Sequence, residues 1–144
     1  PFSRSFVYSS YSYTGRWALW RHLVNINELI QTNRIVIGDF NTVLRPDDMI
    51  GSNFSHLVDE DFSNYFDSCD LTEVALAREY FTWGRFTVNG RQASLLDRFV
   101  YRISDGGAPH DVSGFTLPMF HSDHNPLITD FLAGSPRFSP LPIR

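Results

Sequence analysis

Arg34-Ile35-Val36-Ile37 stops abruptly at Gly38-Asp39-Phe40-Asn41. A run of β-branched residues this short reads as a buried strand, and the polar group behind it stands at the strand's carboxyl end. The preceding segment, residues 14–32, carries Leu19, Leu23, Ile26 and Ile30 at steps of four, three and four, which builds one apolar face of a helix. Before it, residues 5–11 hold Phe6, Val7 and Tyr8, a strand-favouring triplet. Strand, amphipathic helix and buried strand in succession imply an α/β fold with the helix packed on a sheet.

The rest of the chain continues the alternation. Asn33 suits a helix stop, and Pro46-Asp47-Asp48 with Gly51-Ser52-Asn53 marks residues 45–55 as loop. Asp59 is placed to cap a second helix whose Phe62, Tyr65 or Phe66, and Cys69 share a face. Further strands are expected over residues 71–74, 80–83, 95–101 and 127–132. Val88-Asn89-Gly90-Arg91 reads as a hairpin turn, because Asn-Gly tolerates positive φ. Residues 134–144 hold three prolines and read as a tail or linker, which leaves residues 1–133 as the folded unit.

Composition removes several classes. An apolar content of 42% with 19% charged residues argues for a packed globular chain rather than disorder. The formal charge of −4 counts against a protein that grips many backbone phosphates indiscriminately. Cys69 is the single cysteine, so an internal disulfide and a Cys-based zinc cluster are excluded. No apolar run reaches the roughly 18 residues of a membrane-spanning helix. The opening Pro1-Phe2-Ser3-Arg4 lacks an initiator Met and a signal peptide, which reads as a start inside a longer protein.

Three stretches carry chemistry, each at the edge of an apolar run: Gly38-Asp39-Phe40-Asn41, Leu95-Leu96-Asp97-Arg98-Phe99 and Ser122-Asp123-His124-Asn125-Pro126. On an extended segment Asp39 and Asn41 point to one side, where a carboxylate can take a proton from water and an amide can hold an oxygen. An Asx-type turn after the strand is the structural alternative. Asp123-His124 offers a carboxylate for a divalent cation and an imidazole to offset phosphoryl charge, against the alternative of a polar turn. Asp97 lies in a run too apolar for an unpaired charge. It either pairs with Arg98 or Arg102, or orients His124 as the acid member of a His–Asp dyad. His22, His56, His110 and His121 have no matching spacing, and Trp17 and Trp20 read as core. The three stretches together provide what metal-assisted phosphoester cleavage requires.

In order and rough spacing these motifs resemble the endonuclease/exonuclease/phosphatase superfamily. The nearest resemblance is to the apurinic-like endonuclease domain of plant non-LTR (LINE-type) retrotransposons. Phe6-Val7-Tyr8 followed by Arg16-Trp17-Ala18-Leu19-Trp20 resembles that family's strand and helix ahead of its GDFN strand, and Phe81-Thr82-Trp83 resembles its TW segment. The resemblance spans about residues 5–132. It implies a four-layer α/β sandwich of which this chain supplies the C-terminal portion. The family's first strands, one carrying the Glu that is its chief metal ligand, would precede residue 1.

The resemblance also implies roles. Asp39 would be the general base, Asn41 would bind phosphate, His124 would contact the scissile phosphate with Asp97 orienting it, and Tyr8 would sit near the phosphate. Asp123, Asp39 and Asn41 would form the metal site for Mg²⁺, with Mn²⁺ as a substitute. Thr82 and Trp83 would join Asn41 and His124 in contacting substrate, although strand packing is the alternative for Trp83 and for Tyr8. DNA is the implied substrate and a downstream reverse transcriptase domain the implied partner; a nuclear site would follow only from chromosomal DNA. A superfamily phosphatase acting on a small phosphoester, and a truncated relic without activity, remain as alternatives.

Overall fold

The computed structural model describes residues 2–51, 58–77, 79–104 and 112–131. β1 (Phe2–Tyr8) leads into α1 (Tyr13–Leu29), which returns the chain to β2 (Asn33–Asp39), parallel to β1. β3 (Met49–Ile50) follows a 3-10 turn at Pro46–Asp48, and α2 (Glu60–Ser68) precedes two short strands, β4 (Thr72–Glu73) and β5 (Leu76–Ala77). The hairpin of β6 (Trp83–Thr87) and β7 (Gly90–Ser94) comes next, then β8 (Asp97–Arg102), β9 (Val112–Thr116) and β10 (Leu127–Phe131).

Among the described residues three sheets result, ordered β1-β2-β8-β4, β10-β9-β5 and β3-β7-β6. The first has two differently covered faces, as strand alternation requires. Val7, Val36 and Val100 turn to the helices, where they pack with Trp20, Leu23, Phe62 and Tyr65. Ile35 and Phe99 turn the other way, against Val112 of β9 and Leu127 of β10. The described residues thus form a mixed α/β architecture with a helical layer and two facing sheets. That agrees with the expected superfamily architecture at a coarse level; among the described residues there is no second helical layer to make up the four.

Local reasons account for each element. Ser12 caps α1 by accepting from the Gly15 amide, and Asp59 caps α2 by accepting from the Asp61 and Phe62 amides. Phe62, Tyr65, Phe66 and Cys69 are all buried, as the α2 pattern indicates. Phe62 packs at 4.7 Å from the Trp20 ring centroid and 5.2 Å from that of Phe40, so the Phe of the Gly-Asp-Phe-Asn stretch anchors it in the core. Gly38 has φ +143°, and a Cβ there would fall 1.9 Å from the Val7 carbonyl oxygen. Only glycine lets β1 and β2 approach so closely beside Asp39.

Several boundaries differ from expectation. Helix α1 ends at Leu29 with Ile30 as its cap, and Asn33 opens β2 instead of stopping the helix. Its fully buried residues are Arg16, Trp20, Leu23 and Asn27, of which Leu23 alone comes from the aliphatic stripe, while Leu19 is partly buried against the core. The polar members are enclosed because they have partners: Arg16 Nε meets Asp59 at 3.2 Å, and Asn27 Oδ1 accepts from Arg34 at 3.4 Å. The strand expected over 80–83 begins at Trp83, since Tyr80 turns aside to donate to Asp48 at 2.5 Å. The 45–55 loop contains the 3-10 turn and β3, and β5 and β9 are additional strands. The 88–91 hairpin forms as read. The tail at 134–144, His56 and His110 lie outside the described residues.

Candidate active site

Strand register assembles the site. Tyr8 lies opposite Asp39 in the β1–β2 ladder, and Asp39 lies opposite Asp97 in the β2–β8 ladder. Directly paired residues share a face, so three neighbouring strands present Tyr8, Asp39 and Asp97 in one row. The loop before β10 brings His124 to that row. His124 Nδ1 and Asp97 Oδ2 are 2.8 Å apart, and Asp39, Asp97 and His124 each offer a ligand atom within 4.8 Å of the others.

The two readings of Asp97 are thereby separated. Arg98 projects to the opposite face, where it pairs with Asp48 at 2.6 Å and with Glu73. Arg102 donates to the Ile30 carbonyl at 2.6 Å. Asp97 is left to His124, whose pKa is raised by that hydrogen bond despite partial burial, with Asp39 and Asp123 adding to the effect. Asp39 is itself pushed up by burial; the Asn41 amide works against this, while the Asp97 charge adds to it. A carboxylate displaced toward neutral pH is better matched to general-base work than an ordinary one.

Asn41 does not lie on an extended segment. Its φ is 49°, its amide nitrogen donates to Asp39 Oδ1 at 2.8 Å, and its side chain donates to the Ser9 carbonyl at 2.7 Å. The Asx-type turn is therefore present, and Asn41 is 2% exposed, a buried tie between two strand ends rather than a group open to solvent. Thr82 also departs from a substrate-contacting position. It is fully enclosed, and its hydroxyl accepts from the Leu96 and Asp97 amides. Trp83 is half-buried at the wall of the site, with Nε1 donating to Asp123 Oδ2 at 2.8 Å and its backbone bridged to His124. Tyr8 is 76% exposed beside the row, so packing in the core is not its role.

Asp123 is exposed and stands outside the Asp39–Asp97–His124 group, though its charge reaches both Asp39 and His124. As a metal centre the donor chemistry is suitable: Asp39, Asp97 and nearby Asp123 supply hard carboxylate oxygens, the kind that Mg²⁺ and Mn²⁺ accept. His124 Nδ1 is already engaged with Asp97. Asn125 belongs to the site and was missed in sequence: its side chain donates to the Phe81 carbonyl at 2.9 Å and fastens the His124 loop. Its place directly after His124 was the available signal.

No protein-family model and no curated protein matches this sequence. Among solved structures, the chain is similar to CdtB, the biologically active subunit of cytolethal distending toxin. The likeness has a TM-score of 0.50 at 16% identity and covers 88% of this chain but 46% of that one. At this identity the likeness bears on the fold alone. The chain spans about half the length of the structure it resembles. Among the described residues no helix is long and apolar enough to cross a membrane.

Proposed function

We propose that this chain carries the catalytic half of a metal-dependent phosphodiesterase of the retroelement endonuclease type, nicking DNA by water attack on a phosphodiester. The observation that carries the reading is the convergence of Asp39, Asp97 and His124 within 4.8 Å, from positions far apart in sequence. Asp39 accepts a proton from the attacking water. His124, held and charged by Asp97, donates toward a phosphoryl oxygen as negative charge builds there. Tyr8 lines the same row. The Asp39 and Asp123 carboxylates would hold Mg²⁺ or Mn²⁺, which supplies Lewis-acid stabilisation of the phosphoryl oxygens when bound.

Residues 1–133 are further proposed to belong to a larger domain with strands N-terminal to β1. In support, β1 is an edge strand with Phe6 82% exposed on the face that β2 and β8 bury against the second sheet. Addition of a Glu-bearing strand there would complete a metal site that Asp39 and Asp123 furnish in part.

Plasmid nicking by the 144-residue chain with magnesium tests the reading. Nicking should require the cation and fall about a hundredfold or more in Asp39→Ala and in His124→Ala. Cation-independent nicking, or equal nicking by Asp39→Ala, defeats it. Hydrolysis of a soluble inositol phosphate without any DNA cleavage would shift the substrate to a small phosphoester, a class for which the −4 charge leaves room.

A further inference from the structure

We infer that Thr82 is a positioning residue, a clasp that sets Asp97 and His124 against each other, and that Asn125 closes the clasp. The inference deepens the functional reading above, since it concerns the same dyad.

The geometry is built from two sides of one residue. Thr82 Oγ1 accepts two successive amides, Leu96 at 3.0 Å and Asp97 at 2.9 Å, where the chain enters β8. The Leu96 carbonyl in turn accepts from the Phe40 amide at 2.9 Å, next to Asp39. On the other side, the Thr82 carbonyl accepts from the Asn125 amide at 2.6 Å, next to His124. The Asn125 side chain adds its bond to the Phe81 carbonyl, and the Gly84 amide donates to the Asp123 carbonyl at 3.0 Å. Residues 81–84 are therefore stitched between the strand that bears Asp97 and the loop that bears His124, which are 27 positions apart.

The residue type follows from this. Two consecutive amides, one buried and one part-buried, share one acceptor oxygen, and a valine of the same shape would take it from both. Their relief would come from rotating the Leu96-Asp97 peptides, which moves the Asp97 carboxylate away from His124 Nδ1. Thr82 is fully buried, with no surface open to a substrate; it acts through the alignment of the pair.

The metal-free 144-residue chain provides the test. The hydrogen-bonded Nδ1 proton of His124, followed by NMR at acidic pH where the imidazolium is formed, should move upfield or broaden away in Thr82→Val. Thr82→Ser, which keeps the acceptor oxygen, should restore it. In nicking assays Thr82→Val should lower kcat about ten- to a hundredfold with KM unchanged, as expected for lost alignment. A folded Thr82→Val with an unaltered His124 Nδ1 proton overturns the clasp. If Thr82→Val does not fold, Asn125→Ala must weaken the same signal, and an unaltered signal in that folded variant overturns it equally. A His124 signal that follows Thr82 in a chain that nicks nothing would count against nicking by these residues alone and uphold the clasp.

Discussion

Asp97 and Arg98 are consecutive on β8, yet they enter ion pairs of opposite character. Asp97 faces the second sheet at the strand's open end, where it and His124 keep 20% and 30% of their side-chain surface in water. Arg98 faces the helices, where it and Asp48 are fully enclosed. Its guanidinium sits 5.8 Å from the Phe62 ring and also pairs with Glu73. Asp48 further accepts from the Leu44 and Arg45 amides and from Tyr80, so its lone pairs are filled. A sealed pair whose carboxylate is already filled offers no opening to a ligand. An open pair with a free ring nitrogen does, and the difference separates a structural bridge from a chemical one.

The comparison can be broken most decisively from the sealed side. Arg98→Met should cost about 3–5 kcal/mol, because it leaves Asp48 charged and buried with only the half-exposed Arg45, 3.5 Å away, as cation. Urea unfolding measures this, and a loss below about 1 kcal/mol would show the enclosed pair to be dispensable. Next in size is Gly38→Ala, which strains a positive φ and drives a methyl into the Val7 carbonyl; about 2–3 kcal/mol is expected. It should displace β1 with Tyr8 and Ser9 while leaving the Asp48–Arg98 pair intact, so activity should fall further than stability predicts.

The smallest stability effect belongs to Asp97→Asn, about 1 kcal/mol for a pair this open. Its pH dependence is the sharper observable. His124 is raised in the folded state, so its contribution is fully present below about pH 6.5 and lost as pH rises through the folded value. Asp48 behaves in the opposite sense. Burial alone would raise it, but the Arg98 charge and the Tyr80 hydroxyl outweigh that and hold it below the usual carboxylate range. Its contribution is present above about pH 4 and lost as pH falls through the folded value. Subtracting each variant's stability curve from that of the parent should therefore give differences that vanish at opposite ends of the pH scale. Two differences with the same pH profile would abolish the distinction between the pairs.

The open site was the more legible of the two. Asp39, Asp97 and His124 each sit at the edge of an apolar run, and period-2 alternation alone assigns Asp97 and Arg98 to different faces. The sealed pair had no such signal, because Asp48 lies 50 residues from Arg98 within a segment that reads only as loop. Thr82 and Asn41 were found but read as facing outward. Their hydroxyl and amide answer backbone groups that distant strands bring to them, and composition does not reveal those directions. α2 was visible from its cap and α1 from its periodicity, though the polar part of α1's buried face was not, since Arg16 and Asn27 are enclosed with partners, Asp59 and Arg34, from other elements. β9, with Ser113 and Gly114 in its centre, lacks the apolar alternation that marks a strand.

The row formed by Tyr8, Asp39 and Asp97 has a consequence for how the chain reaches its native state. If β8 were to dock one residue out of step against β2, every side chain would change face. Arg98 would then be delivered to the water-exposed end, and the Asp97 carboxylate would be thrust beside Phe62 with Asp48 and Glu73, three acids left with only the half-exposed Arg45 as cation. Such a mispaired sheet forfeits both bridges at once. The adjacent opposite charges thus penalise misaligned strands during folding, and a chain in register has already set Asp39 beside Asp97.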